Sequence, residues 1–222
     1  SEMCIRDSNR KFFNAETGVY AEGTQTAQAL ALYLGLVPEG KEQLVADKLR
    51  EVVAGNNYFL DFGLLGSKTV PAMLTKYGYI EDAMKMITKT EAPSWGYWVE
   101  TMGYSTLPET WTLSPKFADA SLNHVFMGDV SAWMMNQLAG INYDASAPGF
   151  RHIRITPHFV KELDWAKGEY HSVRGRIASE WRREGDTITL TVTIPADCSA
   201  DIVVGDQTET VSAGTHTFTY PA

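Results

Sequence analysis

The segment at residues 103–111 reads Gly-Tyr-Ser-Thr-Leu-Pro-Glu-Thr-Trp, and the rest of the chain is organised on either side of it. Its acidic residue, Glu109, follows Pro108, whose ring fixes its own φ and disfavours helix at the preceding residue. We therefore expect extended or turned backbone before Glu109. With Trp95 and Trp111 as walls, the carboxylate would lie in a ring-lined site of the kind that binds sugars. The alternative is a loop glutamate that caps or solvates a turn between helices.

Helical patterns precede and follow this segment. Apolar residues recur at helical spacing in 24–36 and 39–54, and Gly35 and Gly55 end the two runs. Further helices are predicted at 68–77, 81–88, 95–102 and 125–139. Because the helices come in pairs joined by long loops, the pattern predicts stacked helical hairpins, about three of them between residues 20 and 141.

The pattern changes from helical to β after Gly140. β-Branched residues alternate with polar ones in four stretches, 151–156, 178–181, 187–194 and 200–204. Gly185-Asp186 and Ala213-Gly214 are interpreted as hairpin turns. The last part of the chain is thus predicted to be an antiparallel β-sandwich, with Pro148-Gly149 marking the boundary between the domains.

Composition excludes several classes of protein. The 222 residues carry a net charge of -8 with both signs interspersed, so no basic surface is expected to bind nucleic acid. No apolar run reaches the ~18 residues of a membrane span. Cys4 and Cys198 have no metal-type spacing, and no phosphate-binding loop, nucleophile elbow or zinc motif is present. The sequence predicts no metal, cofactor, nucleic-acid or membrane partner, and it makes no prediction of cellular location.

Hydrolysis of a glycoside needs two carboxyl groups that face each other across the scissile bond. The candidates on or near the long loops are Glu22, Asp61, Glu91, Glu100, Glu109, Asp119 and Asp129. Sequence spacing does not say which two face each other, and for Glu100 a capping or solvated role is the competing interpretation. His124 begins the last predicted helix, where it either projects into a cleft or has a structural role.

The first eight residues do not read as a natural N-terminus. We expect residues 1–8 to be a non-native leader and the chain to be the later part of a longer protein.

A set of motifs, in this order and spacing, resembles the bacterial α-L-rhamnosidases of glycoside hydrolase family 78 from about residue 12 onward. The motifs are Gly18-Val19-Tyr20, Thr24-Gln25-Thr26-Ala27, Gly63-Leu64-Leu65-Gly66, Ser94-Trp95-Gly96-Tyr97, Gly103 to Glu109, Ser121-Leu122-Asn123-His124, Leu138-Ala139-Gly140-Ile141 and Pro148-Gly149-Phe150. Two positions depart from the family pattern: Ser105 replaces a threonine, and Pro108 stands where a tryptophan is common.

The resemblance implies a partial (α/α)6 six-hairpin barrel over 9–141, followed by a β-sandwich domain over 142–222. It implies a bacterial, inverting hydrolase that releases terminal α-L-rhamnose from glycosides or polysaccharides, with Glu109 as general base and His124 in contact with the sugar. The general acid would lie upstream, so the chain is expected to be inactive without the N-terminal part of the same protein. We also expect apolar helix surface that this missing part would cover.

Two other interpretations remain open. A six-hairpin glycosidase that acts on another sugar would share the fold, and a panel of substrates would separate it from a rhamnosidase. A carbohydrate-binding protein would use the same aromatic residues without hydrolysis. Such a protein would keep its ligand after Glu109→Gln and would show no turnover.

Overall fold

The structure is a computed structural model that describes residues 2–111 and 120–222, so the carboxylate of Asp119 lies outside the described residues. The chain divides into two compact units, Ser1–Val130 and Ser131–Ala222. The first is built mainly of helices and the second of β-strands. The predicted order, a helical part followed by a β part, is confirmed.

The first unit contains five helices of nine residues or more among its described residues. They are α1 Glu2–Phe12, α2 Gln25–Tyr33, α3 Glu42–Gly55, α4 Leu64–Lys76 and α5 Ile80–Thr88. Two short strands, β1 Phe13–Asn14 and β2 Val19–Tyr20, pair antiparallel between α1 and α2. None of the residues of α1 is buried. Within the described chain, no helix is both long and apolar enough to cross a membrane.

Helix α2 shows how the sequence sets an element of the core. The Thr24 side chain accepts a hydrogen bond from the Ala27 amide at 3.2 Å and caps the first turn. Gly35, with φ of +65°, lies just beyond the end of the helix in the left-handed region that glycine enters without strain. The predicted helix at 24–36 is therefore confirmed, with its regular part shorter at both ends.

A buried glutamine joins α2 to β2. Gln28 is fully buried, and its Oε1 accepts a hydrogen bond from the Tyr20 amide at 2.5 Å. Its Nε2 donates to the carbonyl of Gly18 at 2.9 Å. Both backbone partners are buried, so the glutamine satisfies two polar groups that water does not reach.

Two predicted helices take other forms. Residues 95–102 contain a five-residue π-helix, Tyr97–Thr101. Residues 125–139 form three short pieces: a 3-10 helix Val125–Gly128, α6 Asp129–Trp133 and a π-helix Met134–Leu138. The predicted helical stretch is therefore confirmed from Val125 to Leu138, but its hydrogen-bonding pattern changes at Asp129 and again at Met134.

The second unit is one sheet of six strands among the described residues. The strands are β3 Ile141–Tyr143, β4 His152–Ile155, β5 Trp165–Ser172, β6 Gly175–Glu184, β7 Thr187–Val204 and β8 Gln207–Pro221. Their order is β3-β4-β7-β6-β5, and β8 also pairs with β7. The predicted turn at Gly185-Asp186 joins β6 to β7, where Glu184 pairs with Thr187.

Strand β7 belongs to both halves of this sheet. Its first half pairs with β6 and its second half with β4, and the register breaks between Ile194 and Ser199. The β4–β7 pair is parallel, so the prediction of a wholly antiparallel domain is wrong. Ala213-Gly214 is not a turn but lies inside β8, where Gly214 pairs with Ile194 at the break. A glycine inside a strand commonly marks such an irregularity.

Alternating side chains of the strands form the core of the second unit. Trp181 of β6 is fully buried, and its indole N–H donates to the Leu138 carbonyl at 2.8 Å. On β7, Ile188, Leu190 and Val192 are buried. This period of two is the pattern of a strand with one face in a core.

Candidate active site

Two chain segments bracket the undescribed residues 112–119 and are joined by their backbones. The Glu109 amide donates to the Ser121 carbonyl at 2.8 Å, and the His124 amide donates to the Leu107 carbonyl at 2.8 Å. These hydrogen bonds bring Glu109 and His124, 15 positions apart in sequence, to the same place.

The Glu109 carboxylate is held by one backbone donor and faces one imidazole. Its Oε2 accepts a hydrogen bond from the Ser121 amide at 3.1 Å. Its Oε1 lies 4.0 Å from Nε2 of His124. The Glu109 side chain is 40% exposed and that of His124 is 20% exposed, so solvent reaches the pair. The structure therefore brings the predicted base and the predicted sugar-contacting histidine together.

The other imidazole nitrogen is not exposed. Nδ1 of His124 is buried and has no hydrogen-bond partner among the described residues. The ring lies beside Phe126, with 5.4 Å between the two ring centroids. The imidazole therefore presents Nε2 to Glu109 and turns Nδ1 inward.

An aromatic cluster lies two residues beyond Glu109. Trp111 stacks on Trp98 with a centroid distance of 4.4 Å and meets Trp95 edge-on at 5.2 Å. Phe62 completes the cluster, 5.9 Å from both Trp95 and Trp111, and its carbonyl accepts the indole N–H of Trp111. The cluster fixes the orientation of the Trp111 ring.

Trp95 and Trp111 have different surroundings. Trp95 is 3% exposed, and its indole N–H donates to the Met127 carbonyl at 3.0 Å. Trp111 is only partly buried. In this conformation Trp111 can present part of its ring to a ligand, whereas Trp95 supports it from within the core. Direct contact of Trp95 with a sugar stays a prediction.

The motif Ser94-Trp95-Gly96 is explained by a tight turn. The buried Ser94 hydroxyl accepts from the Tyr97 amide at 3.0 Å and donates to the carbonyl of Glu91 at 2.9 Å. A Cβ on Gly96 would lie 2.5 Å from the Lys89 carbonyl oxygen, so only glycine fits there. This turn leads into the π-helix that carries Trp98, a residue that sequence reasoning did not select although it lies three positions after Trp95.

A second buried glutamine positions the Phe62 side of the cluster. Gln25 donates to the Phe59 carbonyl at 2.9 Å and accepts from the Asp61 amide at 3.1 Å. A Cβ on Gly66 would lie 2.2 Å from Cβ of Phe62, so only glycine fits where α4 packs against Phe62. The motifs around Gln25 and Gly66 thus hold Phe62 in place.

The described part of the first unit has a cavity beside the Glu109 segment and a groove further along its surface. A cavity of about 260 Å³ adjoins the Glu109 segment and is lined by Gly103, Tyr104, Ser105, Thr106, Pro108 and Leu122. A larger, mainly apolar groove of about 550 Å³ runs between α2, α4 and the 3-10 helix. Its exposed apolar side chains include Leu34, Leu65 and Phe126.

Among the other candidate carboxylates in the described chain, Glu22, Asp61, Glu91 and Glu100 are exposed. Glu100 is exposed on the π-helix, and Glu91 pairs with Lys89 at 3.4 Å. Asp129 begins α6 and borders the apolar groove. In residues 2–111 and 120–222, no group of three or more histidine, cysteine or acidic side chains is arranged to hold a metal ion.

The second unit carries a separate polar cluster on β4, β7 and β8. His152 contacts Ser199 through Nδ1 at 2.7 Å and Asp201 through Nε2 at 3.0 Å. The Thr210 hydroxyl donates to Asp201 at 2.7 Å. The Thr210 hydrogen bond and then the His152 hydrogen bond hold the pKa of Asp201 below its ordinary value of 3.8. His152 lies directly opposite Ser199, Thr210 lies directly opposite Asp201, and His152 and Asp201 are diagonal neighbours across the β4–β7 pair, so we interpret the cluster as structural.

Two family models together match most of the chain. Residues 4–138 match the family model described as the bacterial alpha-L-rhamnosidase 6 hairpin glycosidase domain, which defines the first unit as a six-hairpin glycosidase domain by family. Residues 140–219 match the bacterial alpha-L-rhamnosidase C-terminal domain. The chain belongs to the bacterial α-L-rhamnosidase family.

Individual relatives agree with this assignment. An α-L-rhamnosidase of Streptomyces avermitilis is 28% identical over 204 residues, which are 89% of this chain and 20% of that protein. The crystal structure of a native α-L-rhamnosidase from Aspergillus terreus superposes with a TM-score of 0.90 at 26% identity, covering 97% of this chain and 26% of the other. The Streptomyces avermitilis α-L-rhamnosidase complexed with L-rhamnose shares the fold, with a TM-score of 0.88 at 24% identity over 97% and 23% of the two chains. The chain thus spans only a fraction of the length of these proteins.

Proposed function

We propose that the complete protein containing this chain is an inverting α-L-rhamnosidase and that Glu109 is its general base. The observation that carries the proposal is the position of this carboxylate. It is held by the Ser121 amide, open to solvent, and two residues from the aromatic cluster. A general base needs a fixed position within reach of a water. The family assignment supplies the sugar, terminal α-L-rhamnose of glycosides or polysaccharides.

Two further roles follow from the same geometry. His124 lies beside the carboxylate, at the position that the family resemblance gives to a sugar-contacting histidine, and Trp111 offers a partly exposed indole face to the apolar side of a sugar ring. Trp95 sits behind Trp111 and keeps its ring in place. In an inverting enzyme the general acid lies about 6.5 to 9.5 Å from the base, and we propose that the acid comes from upstream of this chain.

We propose that the helical unit is the later part of an (α/α)6 barrel. The apolar groove supports this, because exposed Leu34, Leu65 and Phe126 form a continuous surface of the kind that a further helix covers. The N-terminal part of the same protein would supply that helix together with the general acid. The chain by itself is then expected to be inactive.

The test is turnover of an aryl α-L-rhamnoside by the complete gene product, with the parent compared with Glu109→Gln. We expect kcat to fall by about 10² to 10⁴-fold with little change in KM, because a positioned base acts in the transition state. Nuclear magnetic resonance of the first product should show β-L-rhamnose, the inverted anomer. Glu100→Gln, an exposed glutamate nearby, is the matched control and should turn over at the parental rate.

The alternatives predict other results. Undiminished turnover by Glu109→Gln would make Glu109 structural. A parent that binds rhamnose without turnover would be the carbohydrate-binding protein, and turnover of another glycoside in preference to rhamnosides would identify a six-hairpin enzyme for a different sugar.

A further inference from the structure

The two oxygens of the Glu109 carboxylate have different partners. Oε2 accepts the Ser121 amide at 3.1 Å, a normal hydrogen-bond length. Oε1 lies 4.0 Å from Nε2 of His124, which is too long for a direct hydrogen bond. The backbone therefore fixes the carboxylate through one oxygen and leaves the other for a further partner.

The separation of Oε1 and Nε2 matches a bridging water. Two hydrogen bonds of about 2.8 Å that meet at roughly 90° on one water oxygen span this distance. Both side chains are partly exposed, so a water molecule can reach this place from solvent. Such a water would touch both the carboxylate and the imidazole.

The His124 side chain is positioned without a direct hydrogen bond to the Glu109 carboxylate. Its amide donates to the Leu107 carbonyl, and its ring lies beside Phe126. Nδ1 is buried without a partner in the described part of the chain. Because a buried N–H without an acceptor is rarer than an under-satisfied acceptor, the tautomer protonated on Nε2 is favoured. That tautomer points its donor toward Oε1.

We infer that His124 and Glu109 together hold the nucleophilic water, with Nε2–H donating to the water oxygen and the water donating to Oε1. This rests on the proposed role of Glu109 as general base. In the reaction the water oxygen bonds to the anomeric carbon, and the water proton passes to Oε1. The glycosidic C–O bond breaks with its electron pair on the leaving oxygen, which takes a proton from a carboxylic acid elsewhere in the glycosidase domain.

This role differs from a contact between His124 and a sugar hydroxyl, and kinetics separate the two. A residue that orients the water acts on the chemical step, so its loss lowers kcat. A residue that binds a hydroxyl equally in substrate and transition state changes KM instead. α-L-Rhamnosyl fluoride is a suitable substrate because fluoride leaves without needing a proton from the general acid.

The experiment compares the parent, His124→Ala and His124→Gln in the complete gene product. Hydrolysis of α-L-rhamnosyl fluoride gives kcat and KM, and calorimetry gives the Kd for L-rhamnose. We expect His124→Ala to lower kcat by about 10²-fold, the effect of misplacing a reacting group, while KM and Kd change by less than about threefold. His124→Gln keeps an N–H near the position of Nε2 and should recover about tenfold of the loss.

Other results overturn the inference. A rise of KM and Kd by about tenfold or more in His124→Ala, with kcat unchanged, would assign the residue to a sugar hydroxyl. An equal fall of kcat in the Ala and Gln variants, with rhamnose binding intact, would show that the N–H group of residue 124 does not orient the water. Loss of rhamnose binding in both variants would likewise contradict the inference that His124 holds the water. A parent without turnover would refute the proposed function first, and an active parent with an unaffected His124→Ala would refute only this inference.

Discussion

The substitution Gln28→Leu tests how strongly the first unit depends on one buried side chain. Gln28 satisfies the Tyr20 amide and the Gly18 carbonyl, both of which are buried. Leucine has a similar volume but no polar atom, so both backbone groups would lose their partner. Each unsatisfied buried group costs about 1 to 3 kcal/mol. Allowing for the apolar gain of the leucine, we expect the free energy of unfolding of the first unit to fall by about 2 to 4 kcal/mol.

The assay is urea unfolding, with amide hydrogen exchange of peptides from α3 and from β7 reporting the two units separately. With a slope of about 2 kcal/mol per molar urea, the midpoint of the first unit should move by roughly 1 to 2 M. The second unit serves as an internal reference and should not move. Gln43→Leu on the exposed face of α3 is the matched control: its hydrogen bonds to Asp47 and Tyr79 are exposed, so water can replace them, and the variant should stay within about 0.5 kcal/mol of the parent. A midpoint for Gln28→Leu equal to that of Gln43→Leu would refute the reasoning.

Two further predictions concern the second unit. Trp181→Phe should lower its free energy of unfolding by about 2 to 4 kcal/mol, because it empties core volume and leaves the Leu138 carbonyl without its donor; the same change at exposed Trp165, measured by the same urea assay, should have no effect. Thr210→Val should raise the pKa of Asp201 toward 3.8, as followed by carboxyl-carbon resonances, because it removes the first of the two hydrogen bonds that lower it. A carboxyl group whose pKa is lower in the folded state stabilises the fold above its ordinary pKa, and that contribution is lost as the pH falls. The Thr210→Val variant should therefore lose less stability than the parent between pH 5 and 2. An unchanged pKa of Asp201 would contradict the role given to the Thr210 hydrogen bond.

Elements governed by local rules could be predicted from the sequence. The apolar spacing over 24–36, closed by Gly35, located α2, and the two-residue turn at Gly185-Asp186 located the β6–β7 hairpin. These features depend on residues within a few positions of each other, so periodicity and turn chemistry suffice. The place of Gly214 inside β8 was not predicted, because it depends on the strand that lies opposite, where Gly214 pairs with Ile194.

The sequence predicted the main residues of the candidate site but not the contacts that bring them together. Glu109 and His124 were selected, yet their closeness depends on backbone pairing with Ser121 and Leu107 across an intervening loop. No periodic pattern signals such pairing. The sequence did not show that the Ser121 amide donates to Glu109. It also did not show that Trp98 stacks on Trp111, because Trp98 lies in a π-helix, whose side-chain spacing differs from that of a regular α-helix.

The long strand β7 has a consequence for how the second unit folds. β8 pairs with both halves of β7, from Val204 opposite Gln207 to Thr187 opposite Pro221. Until the 15 residues of β8 have docked, that whole edge of β7 has no partner. A folding intermediate without β8 therefore presents an open strand edge, of the kind that chaperones protect and that neighbouring chains can capture.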